Sequence, residues 1–281
     1  MDRMSGDSGV VEKKSIPPLI KWPGGKRSLA QTILQFVPRR YGTYYEPFLG
    51  GGAVFFALRP LKSVLSDANQ ELINAYMHVR DHKDDLIRAM RSLKNSEDDY
   101  YAVRASSPRT PLRKAARTLY LTRLAFNGIH RVNLQGQFNV PYGHKTHLST
   151  IDELHLASAS EALSDAQLVS ADFQEITESA NHGDVVYFDP PYTVAHATNG
   201  FVKYNERIFS WDDQERLARH ARELASRGCR VIVSNADHPS LHDLYHDFEC
   251  HVVERPSVIA AASKHRRMVT ECIFVLGGKA C

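Results

Sequence analysis

GTYYEPFLGGGAVFFAL, residues 42–58, joins an aromatic run around Tyr44 and Tyr45 to an apolar run from Ala53 through the turn Pro47-Phe48-Leu49-Gly50-Gly51-Gly52. The spacing predicts a strand over 42–46 and a helix over 53–58. Consecutive glycines let the backbone turn sharply and approach a ligand closely, since no Cβ stands in the way. A strand-to-helix turn of this kind sits at the ligand-binding edge of doubly wound sheets, although by itself it also fits a tight turn without a ligand. A second short strand, 63–65, ends at Ser66-Asp67. That puts an acid about twenty residues after the turn, where it can take a pair of ribose hydroxyls.

Outward from this stretch the same alternation recurs. Residues 185–188 (VVYF) read as a buried strand, and Ser210 with Asp213 forms a capping box for a helix through Leu217, Ala221 and Leu224. Gly228 stops that helix, and strands follow over 230–234 and 271–276. Strands alternating with helices predict an α/β fold, a doubly wound Rossmann-like sheet with ligands at the carboxyl ends of its strands. The middle of the chain differs. Residues 70–80 and 84–93 look helical, and Thr110 caps a helix that begins at Pro111 and runs to about Asn127, with Gly128 after it. Residues 132–140 suggest a hairpin turning near Gly136, and Thr150 with Glu153 suggests a capping box for a helix through Leu163. The expected organisation is a mobile tail over 1–15, a core domain from 16–68 and 151–281, and a small, mostly helical insertion over 69–150.

Charge sharpens the picture of that insertion. The net charge is only +3, yet no acid occurs between Asp99 and Asp152, a stretch that carries Arg104, Arg109, Arg113, Lys114, Arg117, Arg123, Arg131, Lys145 and three histidines. A charge run is often only a solvated face; one this long in a chain otherwise balanced in sign points to a polyanion, with nucleic acid the expected partner. No apolar run approaches the ~20 residues of a membrane span, and the polar N-terminus is no signal peptide. The four scattered cysteines, Cys229, Cys250, Cys272 and Cys281, offer no close pair of the kind zinc sites use and read as reduced thiols in a cytoplasmic protein. His238, His242 and His246 recur at helical spacing, but Leu241, Leu244, Tyr245 and Phe248 would form the buried stripe of the same helix, turning the histidines to water. No metal is expected. Ser263-Lys264-His265-Arg266-Arg267 reads as a basic loop that could grip phosphates.

Two segments carry the chemistry. Lys21-Trp22-Pro23-Gly24-Gly25-Lys26 superficially suggests a phosphate loop, but position 20 is Ile where GxxxxGK needs glycine, which argues against an ATPase. Asp189-Pro190-Pro191-Tyr192 follows the 185–188 strand directly. Two prolines after an acid restrict the chain to an extended shape and remove neighbouring amide donors. The carboxylate and proline carbonyls are then acceptors suited to an amino group with two hydrogens, and Tyr192 offers a ring for stacking. The alternative is a rigid strand-end turn with an ordinary surface acid.

The chain resembles the Dam-type, D12-class DNA adenine methyltransferases from Pro18 onward. KWPGGK (21–26), EPFLGGGAVFF (46–56), LSDANQELINAY (65–76), FNGIHRVNLQGQFNVPYG (126–143), VVYFDPPY (185–192) and VIVSNAD (231–237) carry the resemblance in order. It implies transfer of a methyl group from S-adenosylmethionine, leaving S-adenosylhomocysteine, to adenine N6 in double-stranded DNA at GATC or a related site, by base flipping and without a metal. It implies cofactor contacts from Trp22, Gly24, Gly25, Lys26, Glu46, Phe48, Gly50, Gly52, Asp67, Asp172, Phe173 and Asp189, and catalysis at Asp189, Pro190, Pro191 and Tyr192. Lys21, Phe126, Asn127, Ile129, Arg131, Asn133, Pro141 and Lys145 would face DNA. Lys145 stands where a close relative has an aromatic. A monomer in a bacterial or phage-infected cytoplasm is the default. An RNA adenine methyltransferase would keep the Asp189 corner but leave the 126–143 segment without a purpose. A DNA-binding protein with decayed catalysis predicts damage to that corner or to the glycine turn, and both are intact. A nicotinamide dehydrogenase would leave the basic insertion unexplained.

Overall fold

The computed structural model describes residues 16–133, 135–194, 209–256 and 268–278. The expected tail over 1–15 and basic loop over 263–267 lie outside them. Seven strands form one sheet in the order β3-β2-β1-β4-β5-β7-β6: β1 Tyr44–Glu46, β2 Ser63–Ser66, β3 Ala166–Val169, β4 Val185–Phe188, β5 Arg230–Ala236, β6 Glu249–Pro256 and β7 Met268–Leu276. The first five are parallel. β7 runs antiparallel between β5 and β6. The doubly wound Rossmann-like class is therefore as expected. Strand order reverses between β1 and β4, and in such sheets the crevice outside the strand ends at that switch point receives the ligand. The glycine turn follows β1 and the Asp189 corner follows β4, so the topology brings together two motifs far apart in sequence.

Side chains alternate between two cores because successive strand residues face opposite ways. Tyr44, Val185, Tyr187, Ile232, Ile273 and Val275 pack into one cluster. Their neighbours Tyr45, Val186, Phe188, Val231, Val233, Cys272 and Phe274 pack into the other. Ten α-helices are described: α1 Ala30–Leu34, α2 Ala53–Leu58, α3 Gln70–Asp81, α4 Lys83–Arg91, α5 Glu97–Ala105, α6 Pro111–Leu124, α7 Glu153–Leu163, α8 Phe173–Thr177, α9 Trp211–Ser226 and α10 Pro239–Leu244. The helices of the 69–150 stretch do not enclose a core of their own. Tyr76, Met90, Tyr100 and Tyr120 belong to the same apolar cluster as the sheet residues Tyr44 and Leu65.

Caps explain most helix starts. Ser210 and Asp213 form the expected reciprocal box at α9, and Thr110 accepts from the Arg113 amide ahead of Pro111. At α7 the cap is Asp152, which accepts from His155. The Thr150 hydroxyl instead donates to the Met90 carbonyl, anchoring α7 to α4, so the expected Thr150–Glu153 box does not form. α6 ends at Leu124, not near Asn127. The Phe126 amide donates to Pro141, and the Gly143 amide donates to Leu124. This pairing pulls the chain out of the helix into a 3-10 turn, Phe126–Gly128, with Asn127 at φ 52°. The expected 132–140 hairpin turns at Gly136 (φ +74°) and, among the described residues, pairs at one bridge, Val132 to Phe138, flanked by the Asn133–Gln137 and Asn139–Arg131 backbone bonds. The Asn133 side chain completes it, accepting from the amides of Gln135 and Gln137. Strand β6, at the sheet edge, escaped notice because its polar residues Glu249, His251 and Glu254 break the apolar pattern.

Candidate active site and nucleic-acid interface

Three carboxyl ends, of β1, β2 and β4, meet at the switch point. After β1, Gly50 and Gly52 adopt positive φ, +48° and +70°, which L side chains rarely tolerate. A Cβ on Gly50 would lie 2.7 Å from the Trp22 ring, and one on Gly51 would lie 2.4 Å from the Ile20 carbonyl. The turn is thus packed beneath the 18–26 segment. The Asp67 carboxylate at the end of β2 accepts from the amides of Gly50 (3.0 Å) and Asn69 (2.9 Å), and the Tyr76 hydroxyl donates to the Gly50 carbonyl. Burial raises the proton affinity of Asp67.

The corner after β4 is a dense charge cluster. Asp189 accepts from the Lys26 ammonium at 2.7 Å and from the Ser234 hydroxyl at 2.9 Å. Lys26, itself buried, also donates to the Gly24 carbonyl and lies 4.0 Å from Glu271. Its ammonium stands 4.7 Å from the centre of the Tyr192 ring. The Tyr192 hydroxyl donates to Glu271 (2.8 Å), whose other oxygen is held by Arg255. Burial pushes the Asp189 carboxyl above its usual range, while Lys26 and Ser234 oppose the shift. The Pro191 carbonyl accepts from Gln214. Among the described residues no donor reaches the carbonyl of Pro190. Glu46 receives the Tyr44 hydroxyl at 2.7 Å and is pushed by burial to about 8, so it is largely protonated at neutral pH.

Other expected site residues sit further out. Phe48 and Phe173 are ring neighbours at 5.7 Å, together with Phe188 and Phe209. Asp172 caps α8 and is gripped by Arg216 through two bonds of 2.8 and 2.9 Å, with the guanidinium over the Phe173 ring. Gly25 turns back onto Trp22.

The 126–143 segment borders the same cleft. His130 stacks on Trp22 at 4.6 Å, and Gly128 lies against Lys21. Burial and nearby Arg117 hold the His130 ring down at about 4, hence neutral. Phe126 and Ile129 are large apolar side chains left exposed. Arg131 is exposed with its guanidinium on Asn139, and Pro141 is also exposed. Asn133 is engaged within its turn, and the Lys145 ammonium points inward to the Arg123 carbonyl.

Sequence reasoning missed Ser234, Glu271, Arg255 and His130. Ser234 lay within a quoted motif without a role; Glu271 and Arg255 sit on strands whose pairing only the fold reveals.

The fold and this cluster define a Rossmann-like α/β enzyme whose cleft opens between a glycine turn and an acidic proline corner. The chain belongs to the D12 class N6 adenine-specific DNA methyltransferase family, whose profile matches residues 22–259, and it is a DNA adenine methyltransferase. Among its relatives, Type II methyltransferase M1.LlaDCHI of Lactococcus lactis subsp. cremoris is 38% identical over 271 residues, covering 93% of this chain and 95% of that protein. Type II methyltransferase M.MjaIII of Methanocaldococcus jannaschii is 33% identical over 244 residues, 79% of this chain and 84% of that protein. The DNA adenine methylase of Escherichia coli (strain K12) is 32% identical over 262 residues, 90% and 93% respectively.

Proposed function

We propose that the protein methylates adenine N6 in double-stranded DNA at GATC or a related site, drawing the methyl group from S-adenosylmethionine and acting on a base flipped out of the duplex. The residues of the cleft fit such a cofactor. The glycine turn at 50–52, drawn tight against Trp22 and Ile20, shapes one wall of the pocket, Asp67 suits a ribose, the Phe48–Phe173 pair suits an adenine ring, and Glu46 lies where a buried carboxyl could meet an ammonium. When bound, this cofactor supplies an electrophilic methyl group whose departure neutralises a positive sulfur.

The observation that carries the reading is the pair of acceptors at the corner, the Asp189 carboxylate and the carbonyl of Pro190. The N6 lone pair of adenine is delocalised into the ring. Two acceptors that take its amino hydrogens pull the nitrogen toward a tetrahedral shape and localise that lone pair. Positioning and preorganised hydrogen bonds then supply the acceleration. Tyr192 stacks on the flipped ring, which requires the Lys26 ammonium to move off its face. Lys26 meanwhile keeps Asp189 ionised against its burial. Extruding the base costs a few kcal/mol, repaid by contacts from the 69–150 part of the chain, which serves as the target-recognition region. Arg131 reads a guanine edge there, Phe126, Asn127, Ile129 and Pro141 face the opened duplex, and Lys21 takes a backbone or base contact. The enzyme works as a monomer in the cytoplasm, where its DNA lies.

Incubation with labelled S-adenosylmethionine and GATC-containing DNA, a scrambled duplex and RNA of the same sequence tests this directly. Label recovered as N6-methyldeoxyadenosine from the GATC duplex is expected. Label confined to RNA, found on another base, or absent from every substrate overturns it.

A further inference from the structure

Cys272 follows Glu271 on β7, so strand alternation sends it to the face opposite the charge cluster. There it meets three groups for which the reaction has no use. The His242 ring lies with Nε2 3.6 Å from Cys272 Sγ and Nδ1 3.7 Å from Cys250 Sγ. Asp237 Oδ1 lies 2.8 Å from His242 Nε2 and 3.5 Å from Cys272 Sγ. One donor atom each from His242, Cys250 and Cys272 fall within 4.8 Å of one another. The expected helix bearing three outward histidines does not exist in that form. α10 ends at Leu244, His238 is its N-cap, and His242 turns toward the cysteines while Leu241 and Tyr245 are buried.

The geometry points to a structural zinc site formed by His242, Cys250 and Cys272, with Asp237 as the fourth ligand. Zinc takes thiolate sulfur at about 2.3 Å and imidazole nitrogen or carboxylate oxygen at about 2.0–2.2 Å in a tetrahedron, so its donor atoms stand roughly 3.3–3.8 Å apart. Around Nε2 two separations already fall in that range, His242–Cys272 at 3.6 Å and Asp237–Cys272 at 3.5 Å; the 2.8 Å between Asp237 and His242 needs to widen by about half an ångström, and the Cys250 sulfur, now 3.7 Å from Nδ1, must swing toward the same centre. Mixed sulfur, nitrogen and oxygen donors suit a borderline-soft cation and disfavour magnesium or calcium. Supporting contacts hold the ligands: Asp237 also accepts from Thr270, and the His242 ring rests edge-on against Phe274 at 5.9 Å. A disulfide fits less well. Cys250 pairs opposite Phe274, and Cys272 opposite Val252. The two cysteines are therefore diagonal neighbours, with Cα atoms roughly 7–8 Å apart, beyond the usual disulfide span. Binding replaces two S–H bonds by two Zn–S bonds and releases two protons to solvent. The ion would clamp the β6–β7 edge to the end of β5, one residue from the Glu271 that holds Tyr192.

Untagged protein purified without chelator should carry roughly one zinc ion per chain by mass spectrometry. After chelation, Co2+ should produce thiolate charge-transfer and tetrahedral visible bands that Zn2+ displaces. Cys250→Ser, at the surface, and His242→Ala should each weaken zinc binding by roughly 10–100-fold or more, with circular dichroism confirming the fold. Protein without zinc and without cobalt bands, bands unchanged in both variants, or a Cys250–Cys272 disulfide in the purified chain overturns the site. None of these readouts depends on methyl transfer, so the proposed reaction stands or falls separately.

Discussion

Asp189 is held between opposing forces: burial favours its neutral form, and the Lys26 ammonium at 2.7 Å favours its anion. The anion is the stronger acceptor for an amino hydrogen, and a protonated carboxyl adds an O–H donor that competes with that amine. Lys26→Met should therefore raise the Asp189 pKa further and move the acidic limb of the kcat profile to higher pH, besides lowering kcat; an unmoved limb in a pH–rate series would remove Lys26 from this role. Glu46, also raised by burial, carries its consequence into stability. Its folded pKa is raised from its ordinary 4.5 to about 8, so the native state binds more protons than the unfolded one between those values. Stability contributed by this group is present below the ordinary value and is lost as pH rises through about 8. Thermal unfolding of Glu46→Gln should show a smaller drop in Tm than the parent between roughly pH 6 and pH 9, and an identical drop would show that Glu46 does not titrate there.

At the scale of elements, the glycine turn is the least tolerant piece. Gly50→Ala forces an L residue into the left-handed region, at about 1–2 kcal/mol, and drives its Cβ against Trp22. A Tm lower by several degrees and weaker cofactor binding by calorimetry are expected; unchanged values would mean the 18–26 segment moves aside freely. This turn, the Ser210 box and the Thr110 cap were legible because each is decided by neighbours a few residues apart. Where helix α6 stops was not, because a distant pairing with residues 141–143 overrides local propensity. The same holds for the Asp152 cap: Thr150 was as good a candidate locally, and only contact with α4 draws it away. Trp22, Lys26 and Asp189 were legible as motif members, yet their meeting with Ser234 and Glu271 depends on β7 inserting beside β5, an order with no local sign.

Across the whole molecule, the acid-free stretch divides into two kinds of cation. Arg104, Arg117 and Arg123 direct their guanidinium groups at backbone carbonyls of Val140, Val103 and Ser149, so they stabilise the helical layer. Arg109, Arg113, Lys114 and Arg131 are exposed and are the groups placed to meet phosphate or base edges, Arg131 by exchanging its contact with Asn139. Replacing Arg113 and Lys114 together by Gln should weaken DNA binding uniformly across sequences and flatten the salt dependence by about two counterions. Arg131→Ala should instead cost about 1–3 kcal/mol of discrimination at one base pair. Filter binding over a salt series, with cognate and scrambled duplexes, separates the two; a sequence-specific loss from the double variant would contradict the division.

Whether the Asp189 corner acts on the reacting nitrogen is tested most directly by single-turnover methyl transfer with Asp189→Ala at saturating cofactor and duplex, with both affinities measured alongside. A rate lower by roughly a hundredfold or more, at affinities within a few-fold of the parent, is expected when preorganised acceptors are lost. A rate within about threefold of the parent would contradict it, since removing one of two acceptors cannot then matter to the step.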